Sequence, residues 1–309
     1  MRKLTFVLLS FTIAMVLYCC NEASTANGIN LKFNLQKGDH FLYSIGMDMH
    51  ARQQVMGKDM DVNTKMDIGY TFDVTGDSAG WKKVNATISK IAMNMDAGGM
   101  QIKFDSDNPS ATDSTSPMGK IGQVFGAMKG GQFGFTINEK GEVGTVTGIR
   151  DMMEHALSTL GNPTTSAAMM AGLSKSFDEN QFKENLQQSF GIYPDKAIKP
   201  GDSWHKTMNV NNAGIIMKTD NTYTLESVEN NNAQIKMTSK ISSVSDSTQL
   251  MGTQMDMDGT MDGTMQFDIA TGMPIKGVNN MQLNMKVKNQ GTEMPMNMSL
   301  TLNISGKKL

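Results

Sequence analysis

From residue 254 to 269 the chain reads QMDMDGTMDGTMQFDI, with its apolar positions on every second residue. Met255, Met257, Gly259, Met261, Gly263, Met265, Phe267 and Ile269 take the odd places, and Gln254, Asp256, Asp258, Thr260, Asp262, Thr264, Gln266 and Asp268 take the even ones. Successive side chains of a strand point to opposite faces, so this pattern predicts one long β-strand with methionines on one side and aspartates on the other. At about 3.3 Å per residue the strand would run roughly 50 Å, too long for a flat element. The two glycines on the apolar side mark where it bends or is closely approached.

The same alternation recurs along most of the chain. It runs through Ile29, Leu31, Phe33 and Leu35; Phe41, Tyr43, Ile45, Met47 and Met49; Met60, Val62, Met66, Ile68, Tyr70, Phe72 and Val74; Met281, Leu283, Met285 and Val287; and Met296, Met298, Leu300, Leu302 and Ile304. Clean alternation predicts antiparallel sheet with one covered face and one wet face. Spacing by three and four is confined to the middle: Met118, Ile121, Phe125 and Met128 behind Pro117, then Ile149, Met152, Met153, Ala156, Leu157 and Leu160, then a more polar amphipathic stretch over 179–190. These three segments predict helices. FTINEKGEV reads as a hairpin turning at Lys140 and Gly141, and residues 105–117 read as a loop from their Ser, Asp, Asn and Pro content.

Four segments of the first half recur in order in the second. KGDHFLYSIGM at 37–47 resembles PGDSWHKTM at 200–208, YTFDV at 70 resembles YTLES at 223, ISKI at 88 resembles TSKI at 238, and FTINEKGEV at 135 resembles FDIATGMPI at 267. The expected fold is therefore mainly β (α+β), with two related curved antiparallel sheets or half-barrels from an internal duplication and a few helices between them. The corresponding organisation is a lipoprotein-type signal over 1–19, a linker over 20–28, an N-terminal β repeat over 29–147, a helical insert over 148–192 and a C-terminal β repeat over 193–309.

Composition narrows the function classes. Charged residues make up 19% of the chain and the formal net charge is −2, with both signs interspersed, so no field draws in nucleic acid. Thirty methionines in 309 residues are the anomaly. At the N-terminus, Arg2 and Lys3 precede an apolar run from Leu4 to Tyr18 and then Cys19 and Cys20, the layout of an export signal. Ending in cysteine, it resembles a bacterial lipoprotein signal with Cys20 as the acylated residue; a plain signal cut near Ala26 and a retained anchor helix are the alternatives. These two cysteines are the only ones in the chain, so the exported part has neither a disulfide nor a thiolate site.

With KGDHFLYSIGMDM, KFDSDNP, FTINEKGEV and YPDKAIKPGDSW behind such a signal, the chain resembles a family of secreted bacterial proteins known only as a domain of unknown function. The resemblance implies an envelope location and no activity. By architecture alone, the expected curved sheet is also similar to envelope lipoprotein carriers that hold acyl chains against helices.

Each candidate for chemistry has a plainer reading. GDSW at 201–204 would make Ser203 a nucleophile, but its repeat counterpart is GDHF, with His40 in that place, and both lead from a turn into a strand. His40, His50, His155 and His205 are scattered, without paired spacing for zinc. Asp105, Asp107 and Asp113 lack the glycine and terminal glutamate of an EF-hand, and Asp256 and Asp258 belong to a strand. GMDMHARQQVMGKDM places Met47, Met49, His50, Met56 and Met60 around a hairpin, a soft set suited to Cu(I), although alternation turns His50 away from Met47 and Met49. The expectation is a non-enzymatic envelope lipoprotein, held to the outer membrane through Cys20, with no cofactor, metal or nucleic-acid partner and with its protein partners unassigned. An apolar ligand such as a lipid would lie on Met255, Met257, Met261, Met265, Met281 and Met285. A purely structural role and methionine-based copper binding are the alternatives.

Overall fold

The computed structural model describes residues 28–55, 58–108, 117–161, 178–212, 215–244, 249–250, 253–289 and 292–309. Cys20, Met56, Asp113 and the export signal lie outside these residues. The strands are β1 His40–Val55, β2 Lys58–Ser78, β3 Trp81–Ala97, β4 Met100–Asp105, β5 Gln132–Asn138, β6 Val143–Thr147, β7 Ser203–Asn212, β8 Ile215–Glu229, β9 Asn232–Ser243, β10 Gln249–Leu250, β11 Thr253–Asp268, β12 Pro274–Asn289 and β13 Thr292–Lys308. The helices are α1 Pro117–Ala127, α2 Ile149–Ser158 and α3 Glu179–Phe190. All three helices fall where the spacing places them, and β11 spans the segment of strict alternation.

All thirteen strands belong to one antiparallel sheet, ordered β6-β5-β3-β2-β1-β13-β12-β11-β9-β8-β7, with β4 beside β3 and β10 beside β11. The expectation of two sheets is corrected by β13, which pairs along its length with both β1 and β12 and so joins the halves. A second correction concerns residues 29–35. Leu31, Phe33 and Leu35 are fully buried, as their alternation requires, yet the segment is not a sheet strand. Ile29 bridges to Ile198, the Phe33 N–H donates to Glu139 O (3.0 Å), and the Asn34 N–H donates to Thr271 O (2.8 Å). The chain thus crosses one end of the sheet, tying the β5–β6 turn to the β11–β12 turn.

The sheet must curl. Eleven strands at about 4.8 Å spacing would hold its edges roughly 50 Å apart if flat, yet α3, a helix only about 10–12 Å across, packs against both edge strands, β6 and β7. On the β6 side, Gln187 accepts from the Val143 N–H (2.8 Å) and donates to Gly141 O (3.2 Å). Just beyond the helix, the Trp204 indole N–H on β7 donates to Ile192 O (2.7 Å). The Asp178 carboxylate caps α3 by accepting from the Asn180 and Gln181 amides. Inside the curl, Phe190 at the end of α3 meets Phe33, Tyr43, Phe72 and Phe135 at centroid distances of 6.0 to 6.5 Å. The Tyr193 hydroxyl donates to Gly272 O (2.9 Å). Burial raises the Tyr43, Tyr193 and Tyr223 hydroxyls above the ordinary tyrosine range and pushes Tyr70 up to about 12.

Matching details occur in the two halves. Asp39 accepts from the Gln36 N–H and Asp202 from the Lys199 N–H, each at 2.8 Å. The Gly38 N–H then donates to Val74 O, and the Gly201 N–H to Leu225 O. Immediately after each of these partners the register slips by one residue, between Val74 and Gly76 and between Leu225 and Ser227. The hairpins that follow turn on left-handed pairs, Ala79–Gly80 and Asn230–Asn231.

Candidate functional site

The inner face changes character along several of the long strands. On β1 it passes from Phe41, Tyr43 and Ile45 to Met47 and Met49; on β2 from Phe72, Tyr70 and Ile68 to Met66; on β11 from Phe267 and Met265 to Met261, Met257 and Met255. The aromatic end carries α2, α3 and residues 29–35. Among the described residues, methionine supplies six of the thirty-six buried members of the main core. Beyond that end, Ile241, Met257, Leu283 and Met285 form a second buried cluster, with Met217, Met255, Met261, Met281, Met296 and Met298 packed half-buried against it, so eight of its ten members are methionines.

Register assembles these side chains. Met257 lies opposite Met285, which lies opposite Met296; Met261 lies opposite Met281, which lies opposite Leu300; Leu283 lies opposite Met298. The two glycines of β11 are filled from β12. A Cβ on Gly259 would stand 2.5 Å from Leu283 Cδ2, and one on Gly263 would stand 2.1 Å from Asn279 Oδ1. The aspartates take the other face: Asp258 and Asp262 are exposed, and Asp258 accepts from Asn284 Nδ2 (3.2 Å). Methionine and aspartate interleave in sequence and never converge.

Five of the expected lining residues, Met255, Met257, Met261, Met281 and Met285, fall in this second cluster. Met265 instead belongs to the main core, only 5% exposed, with its Cγ 3.0 Å from where a Cβ on Gly277 would stand. Met217, Met296, Met298, Leu283 and Ile241 complete the cluster without having been singled out. Their alternation was visible in the sequence, but only register shows that they meet the others. Among the polar groups of the inner face, which include Asn221 and Ser239, two atoms stand apart, Thr64 Oγ1 and Asn279 Oδ1. Both are buried and find no hydrogen-bond partner among the described residues, a costly state for a polar atom kept from water.

The other candidates are spread over the outer face and the turns. Ser203 Oγ meets Thr224 Oγ1 (2.8 Å) at the start of β7, in a strand pair with no helix following. His205 pairs with Thr222, His40 with Asp73, and His50 with Asn63 on the face opposite Met47 and Met49. Met60, on the inner face, takes a long contact from Gln53 Nε2 (4.0 Å). Asp105 accepts from the Asp107 N–H within a turn, and Asp107 pairs with Lys129, whose ammonium holds the Asp107 carboxyl below the usual range. Among the described residues, no three His, Cys, Asp or Glu side chains come together to hold a metal.

A model of a family of unknown function, DUF6263, matches residues 79–274. No curated protein matches the chain. Among solved structures, the chain is similar to the translocator domain of the autotransporter NalP from Neisseria meningitidis, at 5% identity and TM-score 0.23, over 88% of this chain and 90% of that one. It is similar also to the β domain of the Bordetella autotransporter BrkA, at 7% identity and TM-score 0.22, over 85% and 98% of the two chains. The COG4313 outer membrane channel from Pseudomonas putida F1 stands at 6% identity and TM-score 0.20, over 89% and 97%. Likeness this slight carries no inference about fold or place. The outer face bears Asp48, Lys65, Lys240, Asp258, Asp262 and Lys286, all exposed, whereas a barrel in lipid turns apolar residues outward.

Proposed function

The chain belongs to the family of unknown function DUF6263, and from that premise we propose that it is a non-enzymatic, lipid-anchored envelope protein that holds an apolar ligand against the methionine-lined end of its curled sheet. The carrying observation is the division of the inner face, with aromatic and branched residues under the helices and methionine beyond them. The main core fills its space chiefly with aromatic and branched residues, methionine supplying six of its thirty-six buried members. An unbranched, polarizable side chain is suited to a surface that must repack around a guest. The two unpaired polar atoms, Thr64 Oγ1 and Asn279 Oδ1, fit a guest with a polar group among its apolar ones. The absence of catalysis is part of the same reading, supported by Ser203 meeting a threonine hydroxyl where a nucleophile would need a base.

The test is saturable binding of an apolar fluorescent probe. Met261→Ala is expected to change probe affinity at small cost in stability. Met265→Ala should leave the probe site intact while costing about 2–5 kcal/mol, as a packed core methionine does. A parent protein without saturable binding would return these side chains to a structural role.

The anchor rests on Cys20 and the apolar run before it. Cys20→Ala is expected to move the protein from the membrane to the soluble fraction with its β circular-dichroism spectrum unchanged; an unchanged membrane fraction would refute the anchor. The fold is further read as a duplication, with β6-β5-β3-β2-β1 and β12-β11-β9-β8-β7 as equivalent runs and β13 between them. The paired Gly-Asp turns, register slips and left-handed hairpins support it.

A further inference from the structure

We infer that Met257, Met285 and Met296 form a binding site for one soft monovalent cation of the Cu(I) class, held by thioether sulfurs alone. Three adjacent strands deliver them: Met257 on β11 faces Met285 on β12, which faces Met296 on β13. Directly opposed residues have Cα atoms about 4.5–5.5 Å apart, so the flexible side chains of the outer two can bring their sulfurs over the middle one. Met257 and Met285 are buried, and Met296 packs against them half-buried, so the group keeps one partly exposed side. The next residues along this row are accounted for: Gln53 lies opposite Met296, and its amide contacts the sulfur of Met60. Met255 and Met298, one step to either side on the same face, are in reach as replacement donors.

The chemistry of the face selects the cation. Thioethers are neutral, soft donors that favour Cu(I), while calcium, magnesium and manganese require oxygen. The carboxylates of Asp256, Asp258 and Asp262 alternate onto the other face of β11, so the row offers a hard cation no charged oxygen. The site differs from the hairpin set Met47, Met49, His50, Met56 and Met60, since it uses no imidazole and is built from β11, β12 and β13.

The inference concerns sulfur, whereas apolar-ligand binding concerns surface, so the metal and the apolar probe are titrated separately. The purified chain would be titrated with Cu(I) under anaerobic reducing conditions against a chromogenic Cu(I) chelator, with Ag(I) as a second probe read by native mass spectrometry. One equivalent should be withdrawn from the chelator, and the melting temperature should rise with metal. The variant M257L/M285L/M296L should lose at least tenfold in Cu(I) affinity while still melting cooperatively. M93L/M95L, which removes two inner-face sulfurs from β3, should bind Cu(I) as the parent does. Failure of the parent to compete with the chelator would overturn the site, and so would equal binding by the triple leucine variant. Neither result would touch the apolar-ligand reading, which stands or falls on the probe.

Discussion

Replacing Phe190 with Ala is expected to lower the unfolding free energy by about 3–5 kcal/mol, the range for deleting a large buried aromatic ring. Phe190 is 2% exposed and touches rings supplied by residues 29–35, β1, β2 and β5. It is also the last residue of α3, the helix that packs against both edge strands, β6 and β7. The cavity would therefore open where closure is made, leaving the neighbouring rings with little to collapse onto. Equilibrium denaturation followed by tryptophan fluorescence would measure the loss, because Trp204 reports from β7 through its bond to Ile192 O. A cost below about 1 kcal/mol would mean that α3 rests on the sheet without closing it.

Gly272→Ala is expected to be the most damaging of the small substitutions. Gly272 has φ +71°, and a Cβ there would stand 1.8 Å from Lys32 O, a backbone atom that cannot swing aside. The left-handed conformation alone costs a non-glycine residue about 1–2 kcal/mol, and overpacking adds about 1–3 kcal/mol. The control is Gly38→Ala: with φ +90° but nothing within 4 Å of the added carbon, it should show the backbone cost alone. Melting temperatures of the two variants would separate the terms. Equal losses would show that residues 29–35 are not held against the β11–β12 turn.

The sequence carried the local structure well. Alternation through Met255–Ile269 marked a long strand with its faces correctly divided, and the three helical spacings each became a helix, because burial of one face is a property of a single element. Between elements it said less. Ile29–Leu35 alternate as a strand does and are buried as one would be, yet pair with turns, because periodicity reports burial and not hydrogen-bond partners. The division of the sheet in two failed at β13, whose pairing with β1 joins residues more than 240 positions apart, such as Met49 and Leu300. The candidate lining was legible as a face but not as a set: Met265 lies two turns of the pleat from Met261 and belongs to the core, while Met296 and Met298 enter only through their register with Met285 and Leu283.

That β1–β13 seam also sets the order in which the molecule can assemble. Each half consists largely of neighbours in sequence, so hairpins such as β2–β3, β8–β9 and β11–β12 can form as soon as their residues are available. The seam cannot. Its partners are the first long strand and the last, finished by the Lys308–Asp39 ion pair (2.8 Å) and by the Leu309 N–H donating to His40 O. A contact of that span carries the largest loop-closure cost in the fold and belongs with slow, non-local pairings. The sheet therefore stays in two open pieces until β13 is in place to pair with β1.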